Sequence, residues 1–141
     1  MADAKTVPTK ASVKAFLAKV ADPALRADCA AASAMMQDVT KAPPVMWGPS
    51  IVGFGAYRYK YASGREGDWP LTGFSPRGKQ LVLYVMPGCD GYDEMVAALG
   101  PVKRGVSCIY VKRFADLPQP ALKRLVKASV AHLKKTYGAP R

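Results

Sequence analysis

Val13, Phe16, Leu17 and Val20 fall at i, i+3, i+4 and i+7, which puts four apolar side chains on one face of a helix over Ala11–Ala21. Asp22-Pro23 ends that helix and starts another. Asp suits the N-cap, and Pro suits the first helical position, where its missing N–H needs no partner. The second helix is expected to run to about Gln37 with Leu25, Cys29, Ala32 and Met36 inward. Its alanines favour helix and close packing. Ala42-Pro43-Pro44 breaks the helical region, and the period then changes to two. Tyr57, Tyr59 and Tyr61 alternate with Arg58 and Lys60, while Gly53 and Gly55 mark a bend or a close backbone approach. Ile51–Ala62 and Trp69–Phe74 are expected to pair as a hairpin across the turn-rich stretch Ser63–Asp68, and Ser75-Pro-Arg-Gly78 reads as a second turn. Leu81-Val-Leu-Tyr-Val-Met86 is apolar on both faces, the mark of a central strand.

Tyr92–Leu99 reads as a short helix closed by Gly100-Pro101, and Ser107–Val111 as another strand. In the last helix Leu122, Leu125, Val126, Val130, Leu133 and Tyr137 trace one face, and Lys123, Arg124, Lys127, Lys134 and Lys135 the other. Helices at both ends around a run of strands predict an α+β fold, a two-layer sandwich with an antiparallel sheet flanked by N-terminal and C-terminal helices. Residues 1–10 read as a flexible arm and residues 11–137 as a single domain.

Length changes this picture little: 141 residues suit one domain. Charge changes it more. The formal net charge is +11, and residues 101–141 hold ten Lys and Arg against Asp116 alone. Such a strip attracts acidic partners or nucleic acid, or is simply a solvated helix face. It lacks the interleaved aromatics of a single-strand platform, so nucleic acid is the less favoured partner. The N-terminus has no apolar signal region, and the longest apolar run, Leu81–Pro87, is far short of a membrane span. A cytoplasmic protein without membrane insertion is expected. Cys29, Cys89 and Cys108 form no Cys-x-x-Cys pair, which excludes a zinc ribbon and a thioredoxin-type motif. Nothing in the pattern specifies an oligomeric state.

Catalytic constellations are sparse. His132 is the only histidine, no serine sits in a Gly-x-Ser-x-Gly elbow, and no carboxylate pair has hydrolase spacing, so no catalytic residue is assigned and an enzyme is disfavoured. Gly53-Phe-Gly55 lacks the third glycine of a dinucleotide fingerprint, and Gly78-Lys79 lacks the rest of a phosphate loop. A turn carrying Ser75, Arg77 and Lys79 makes an anion-binding concavity, or else a plain turn whose Arg77 pairs with Asp68 or Glu66. Trp47, Tyr57 and Tyr59 either wall that pocket or belong to the core.

Trp47-Gly48, Ile51-Val-Gly-Phe-Gly55 and Gly73-Phe-Ser-Pro-Arg77 together resemble the YdhG-like domain, a bacterial family of unknown function. Tyr84, Leu99-Gly100, Gly105, Cys108-Ile-Tyr110 and Lys112 extend the resemblance over roughly residues 10–136. The resemblance implies an α+β sandwich likened to frataxin and a non-enzymatic, chaperone-type binding protein, with iron as cargo. Its landmarks Tyr84, Tyr110 and Lys112 join the candidate pocket, together with Lys103 of the basic strip. The compact acidic group is Asp90, Asp93 and Glu94. These carboxylates either hold a hard cation or cap and complement the dipole of the short helix. The runner-up reading is an anion-binding module that contacts nucleic acid or an acidic partner through Arg77, Lys79 and the basic last helix.

Overall fold

The computed structural model describes residues 9–48, 50–60, 64, 66–78, 80–85, 91–100, 102–105 and 108–137. Helix α1 (Val13–Ala18) is capped by Ser12, whose hydroxyl accepts from the Ala15 N–H. Helix α2 (Pro23–Thr40) is capped by Asp22, whose carboxylate accepts from the Ala24 N–H at 2.9 Å, and Pro23 opens the helix as expected. It runs past Gln37 to Thr40 and stops at Lys41, the one described non-glycine residue at positive φ (59°).

Six strands then form one antiparallel sheet in the order β1 (Pro44–Trp47), β2 (Ile51–Phe54), β5 (Thr72–Arg77), β6 (Gln80–Tyr84), β8 (Cys108–Val111), β7 (Lys103–Arg104). Strands β3 (Tyr57–Lys60) and β4 (Glu66–Trp69) make a separate two-stranded ribbon. The expected long hairpin is therefore broken in two. Gly55, at φ +67°, bends the outgoing arm. Pro70 interrupts the returning arm, and the Leu71 N–H bonds the Phe54 carbonyl across the bend. A second correction concerns Ser75-Pro76-Arg77. They are not a turn but the end of β5, in register with Val82, Leu81 and Gln80. The turn is one step later, at Gly78 (φ +61°). Strand β2 reaches only to Phe74, so Pro76 sits where β5 has a single neighbour and its missing N–H is tolerated. Pro44 likewise opens an edge strand, which is why the prolines after α2 conceal β1.

Helix α3 (Tyr92–Ala97) precedes β7, and after β8 a 3-10 turn (Phe114–Asp116) leads into α4 (Gln119–Tyr137). One core joins the layers. Leu25, Cys29, Ala32 and Met36 of α2 and Leu122, Leu125, Val126, Val130 and Leu133 of α4 meet Phe54, Phe74, Leu81, Leu83, Ile109 and Val111 of the sheet. Those sheet residues alternate with Gly53, Gly73, Ser75, Val82, Tyr84, Cys108 and Tyr110, which therefore face away from the helices. The α+β architecture expected from the sequence is the one observed. Among the described residues no helix is long and apolar enough to cross a membrane. Thr9, at the end of the expected arm, is tied to β1 by its N–H to the Met46 carbonyl, and residues 1–8 lie outside the described residues.

Candidate functional site

The outer face of the sheet is ordered by two register rows. One crosses Gly53, Gly73, Tyr84 and Cys108; the other crosses Ser75, Val82, Tyr110 and Lys103. At the glycine end of the first row the face is closed. A Cβ on Gly53 would lie 2.5 Å from Trp47 Cδ1 and 2.7 Å from Pro70 Cβ, so the indole of Trp47 and the Pro70 ring lie directly on the glycine backbone. Trp47 is 2% exposed and meets Trp69 edge-on, with ring centroids 6.4 Å apart. Trp69 in turn stands edge-on to Tyr84 at 6.1 Å. Trp47 thus fills the sheet face at its glycine end.

The other end carries polar side chains. The Arg77 guanidinium lies beside the Tyr84 phenol. Burial pushes the Tyr84 pKa up, and Arg77 opposes that rise by favouring phenolate. Tyr110 is hydrogen-bonded to Cys108, two residues earlier on the same face, and that bond holds the phenol proton and raises its pKa. Gly105 lies over the pair: a Cβ there would be 2.7 Å from Cys108 Sγ and 3.4 Å from the Tyr110 hydroxyl.

At the β7–β8 edge this face opens into a groove of about 510 Å³. Gln80, Lys103, Tyr110, Lys112 and Arg113 supply its polar groups, Val102, Val111 and Leu117 its apolar floor, and Asp116 a carboxylate. Lys103 and Lys112 are exposed and make no ion pair with a described residue. Arg113 is held in place from below. Asp28, on α2, is 2% exposed; its Oδ2 accepts from Arg113 Nε at 3.0 Å and from the Phe114 N–H at 2.9 Å. That pairing raises the Arg113 pKa still further, so the cation is fixed in both charge and position.

The structure therefore unites Lys103, Tyr110 and Lys112 in one groove, with Arg77 and Tyr84 adjoining on the same face. It separates others from them. Tyr57 packs in the core at 3% exposure. The Ser75 hydroxyl is buried and donates to the Ser50 carbonyl at 2.7 Å, so it is unavailable to a ligand. Tyr59 is placed on β3 by its backbone, and Lys79 lies outside the described residues. Of the acidic group, Asp90 is outside the described residues, and Gly91 takes the N-cap of α3. Asp93 and Glu94 stand in the first turn, where they complement the helix dipole. Asp93 is bound to Arg104 at 2.7 Å, and Arg104 also lies over the Tyr92 ring. Among the described residues no three His, Cys, Asp or Glu side chains gather as a metal site.

A second concavity, about 620 Å³, lies between α1 and the end of β5, with Phe16, Val20, Leu25 and Pro76 as its apolar lining and Lys19 and Asp22 also around it. Neither Arg77 nor Trp47 lines either concavity. Sequence reasoning left Trp69, Cys108, Arg113 and Asp28 out of the candidate pocket. A signal existed for Asp28: it interrupts the apolar stripe Leu25, Cys29, Ala32, Met36, and a carboxylate in such a stripe needs a buried partner. Cys108 was legible too, since period two puts it beside Tyr110. No protein-family model, curated protein or solved structure matches the chain.

Proposed function

We propose that the chain is a non-enzymatic binding module of YdhG-like type that seats a small phosphate- or carboxylate-bearing molecule in the β7–β8 groove. The observation that carries this reading is the convergence of Lys103, Lys112 and Arg113 on one concavity with Gln80 and Tyr110. Two cations there make no ion pair with a described residue, and the third is a guanidinium preset by a buried carboxylate, which reduces the ordering cost of gripping an anion. The volume lies in the range of small-molecule sites, roughly 300–1,000 Å³. Hydrogen-bond donors predominate in the lining, where Asp116 supplies the one carboxylate. Iron handling rests on the family resemblance alone, because Asp93 is already engaged by Arg104.

The test is an amide NMR titration with inorganic phosphate and, separately, with acetate. Saturable shifts are expected at Lys103, Tyr110, Lys112 and Arg113, and they should vanish in a Lys103→Gln/Lys112→Gln variant. Shifts that never saturate, or that survive in the double variant, overturn the reading.

A further inference from the structure

Helix α4 divides its circumference sharply. Leu122, Leu125, Val126, Ser129, Val130 and Leu133 are buried, whereas Arg124, Lys127, Lys134 and Lys135 are exposed. At about 100° per residue the four cations fall within roughly a third of the circumference, and they span about 16 Å of helix axis. Lys123, next to them in sequence, is diverted: its Nζ lies 2.6 Å from Asp38, which Lys41 also approaches at 3.4 Å. That ion pair spends Asp38 and leaves the other four cations with no ion pair to a described residue.

From this we infer that the exposed face of α4 docks on the phosphate backbone of a duplex nucleic acid, separately from the groove. Three alternatives fit the helix less well. A bilayer surface requires an apolar stripe to insert, and the stripe of α4 is consumed by the core. A single strand would be held by exposed aromatics between the cations, and none stands among them. An acidic protein interface centres on a desolvated aromatic or aliphatic anchor, and the exposed face offers none. A duplex backbone asks only for cations along a rigid rod.

The experiment is fluorescence anisotropy with labelled random-sequence duplex DNA and duplex RNA, at salt from about 50 to 200 mM. Four neutralised phosphates predict a log–log salt slope of about −3.6, a loss of about 150-fold across that range. An Arg124→Gln/Lys127→Gln/Lys134→Gln/Lys135→Gln variant should lose binding with an unchanged thermal midpoint. A Lys127→Arg/Lys134→Arg/Lys135→Arg variant should keep it, as should the groove variant Lys103→Gln/Lys112→Gln. Preference between the DNA and RNA duplexes then names the source of the backbone. The inference is overturned by no binding at low salt, by a flat salt slope, by undiminished binding of the glutamine variant, by preference for a single strand, or by equal competition from polyglutamate at matched charge.

Discussion

One sheet face carries two opposite solutions. Toward β1, β2 and β5 the row of Gly53 and Gly73 removes side chains, and Trp47, Trp69 and Pro70 fill the space. Toward β6, β8 and β7 the same rows carry Tyr84, Cys108, Tyr110 and Lys103, of which Tyr110 and Lys103 line a groove instead of meeting a covering layer. The face of a half-covered antiparallel sheet is expected to be polar where water reaches it. Here water is excluded from one half by the chain's own tryptophans. The motif residues divide along that line: the Trp-Gly and Gly-Phe-Gly parts build the fold, and Tyr110 and Lys112 belong to the part open to a ligand.

The largest expected effect lies in the closed half. Trp47→Ala removes a nearly fully buried indole from its contact with Trp69 and should cost about 3–5 kcal/mol, read as a drop in the urea midpoint. Gly73→Ala comes next. Its new Cβ would lie 2.5 Å from the Val52 carbonyl oxygen, a backbone atom that cannot step aside, so overpacking of about 1–3 kcal/mol is expected. If both variants melt like wild type, the closed half is not closed by packing and the contrast collapses.

Asp28→Asn tests the link between helix layer and groove. It removes a buried carboxylate that serves both Arg113 and the Phe114 N–H, at a cost of about 1.5–3 kcal/mol. Phosphate affinity should fall as well, because Arg113 loses its anchor. By contrast Lys103→Gln/Lys112→Gln should shift stability by no more than about 0.5 kcal/mol, since both side chains are exposed, while abolishing saturable phosphate binding. Calorimetric unfolding beside the titration separates the two: a groove variant that unfolds as easily as Trp47→Ala would show the open half to be structural too.

Much of the architecture was legible because it follows from period and capping. Asp22-Pro23, the α2 stripe and the α4 stripe all fold as their spacing dictates. What escaped depends on non-local pairing. Whether Ser75 ends a strand or begins a turn is decided by β6 lying opposite, and whether the Ile51–Phe74 hairpin stays whole is decided where β2 leaves the sheet. Of the site, Lys103, Tyr110 and Lys112 were named from the sequence. Arg113 and its clamp were not, because Asp28 and Arg113 are 85 residues apart along the chain. Tyr57 and Trp47 were ambiguous for the same reason: an aromatic on a strand becomes core or site according to what the rest of the chain lays over it.

The smallest expected effect compares two tyrosines across the boundary. Both phenols titrate above the ordinary 10.0, but from different causes: burial at Tyr84, the hydrogen bond to Cys108 at Tyr110. A phenol whose folded pKa is raised contributes stability that is complete below the unfolded value and is lost as pH climbs through the folded one. Cys29 acts in the same direction, pushed from 9.0 up to about 11 chiefly by burial, so the comparison is made in a Cys29→Ala background. There, Cys108→Ala should lower the Tyr110 midpoint toward 10.0 and move Tyr84 far less. Arg77→Gln should do the reverse at Tyr84, raising its midpoint further, because the guanidinium is what opposes the effect of burial. Site-resolved NMR of the two rings against pH reads both shifts. A Tyr110 midpoint unmoved by Cys108→Ala, or a Tyr84 midpoint unmoved by Arg77→Gln, would overturn the cause assigned to that ring and with it the contrast between the two.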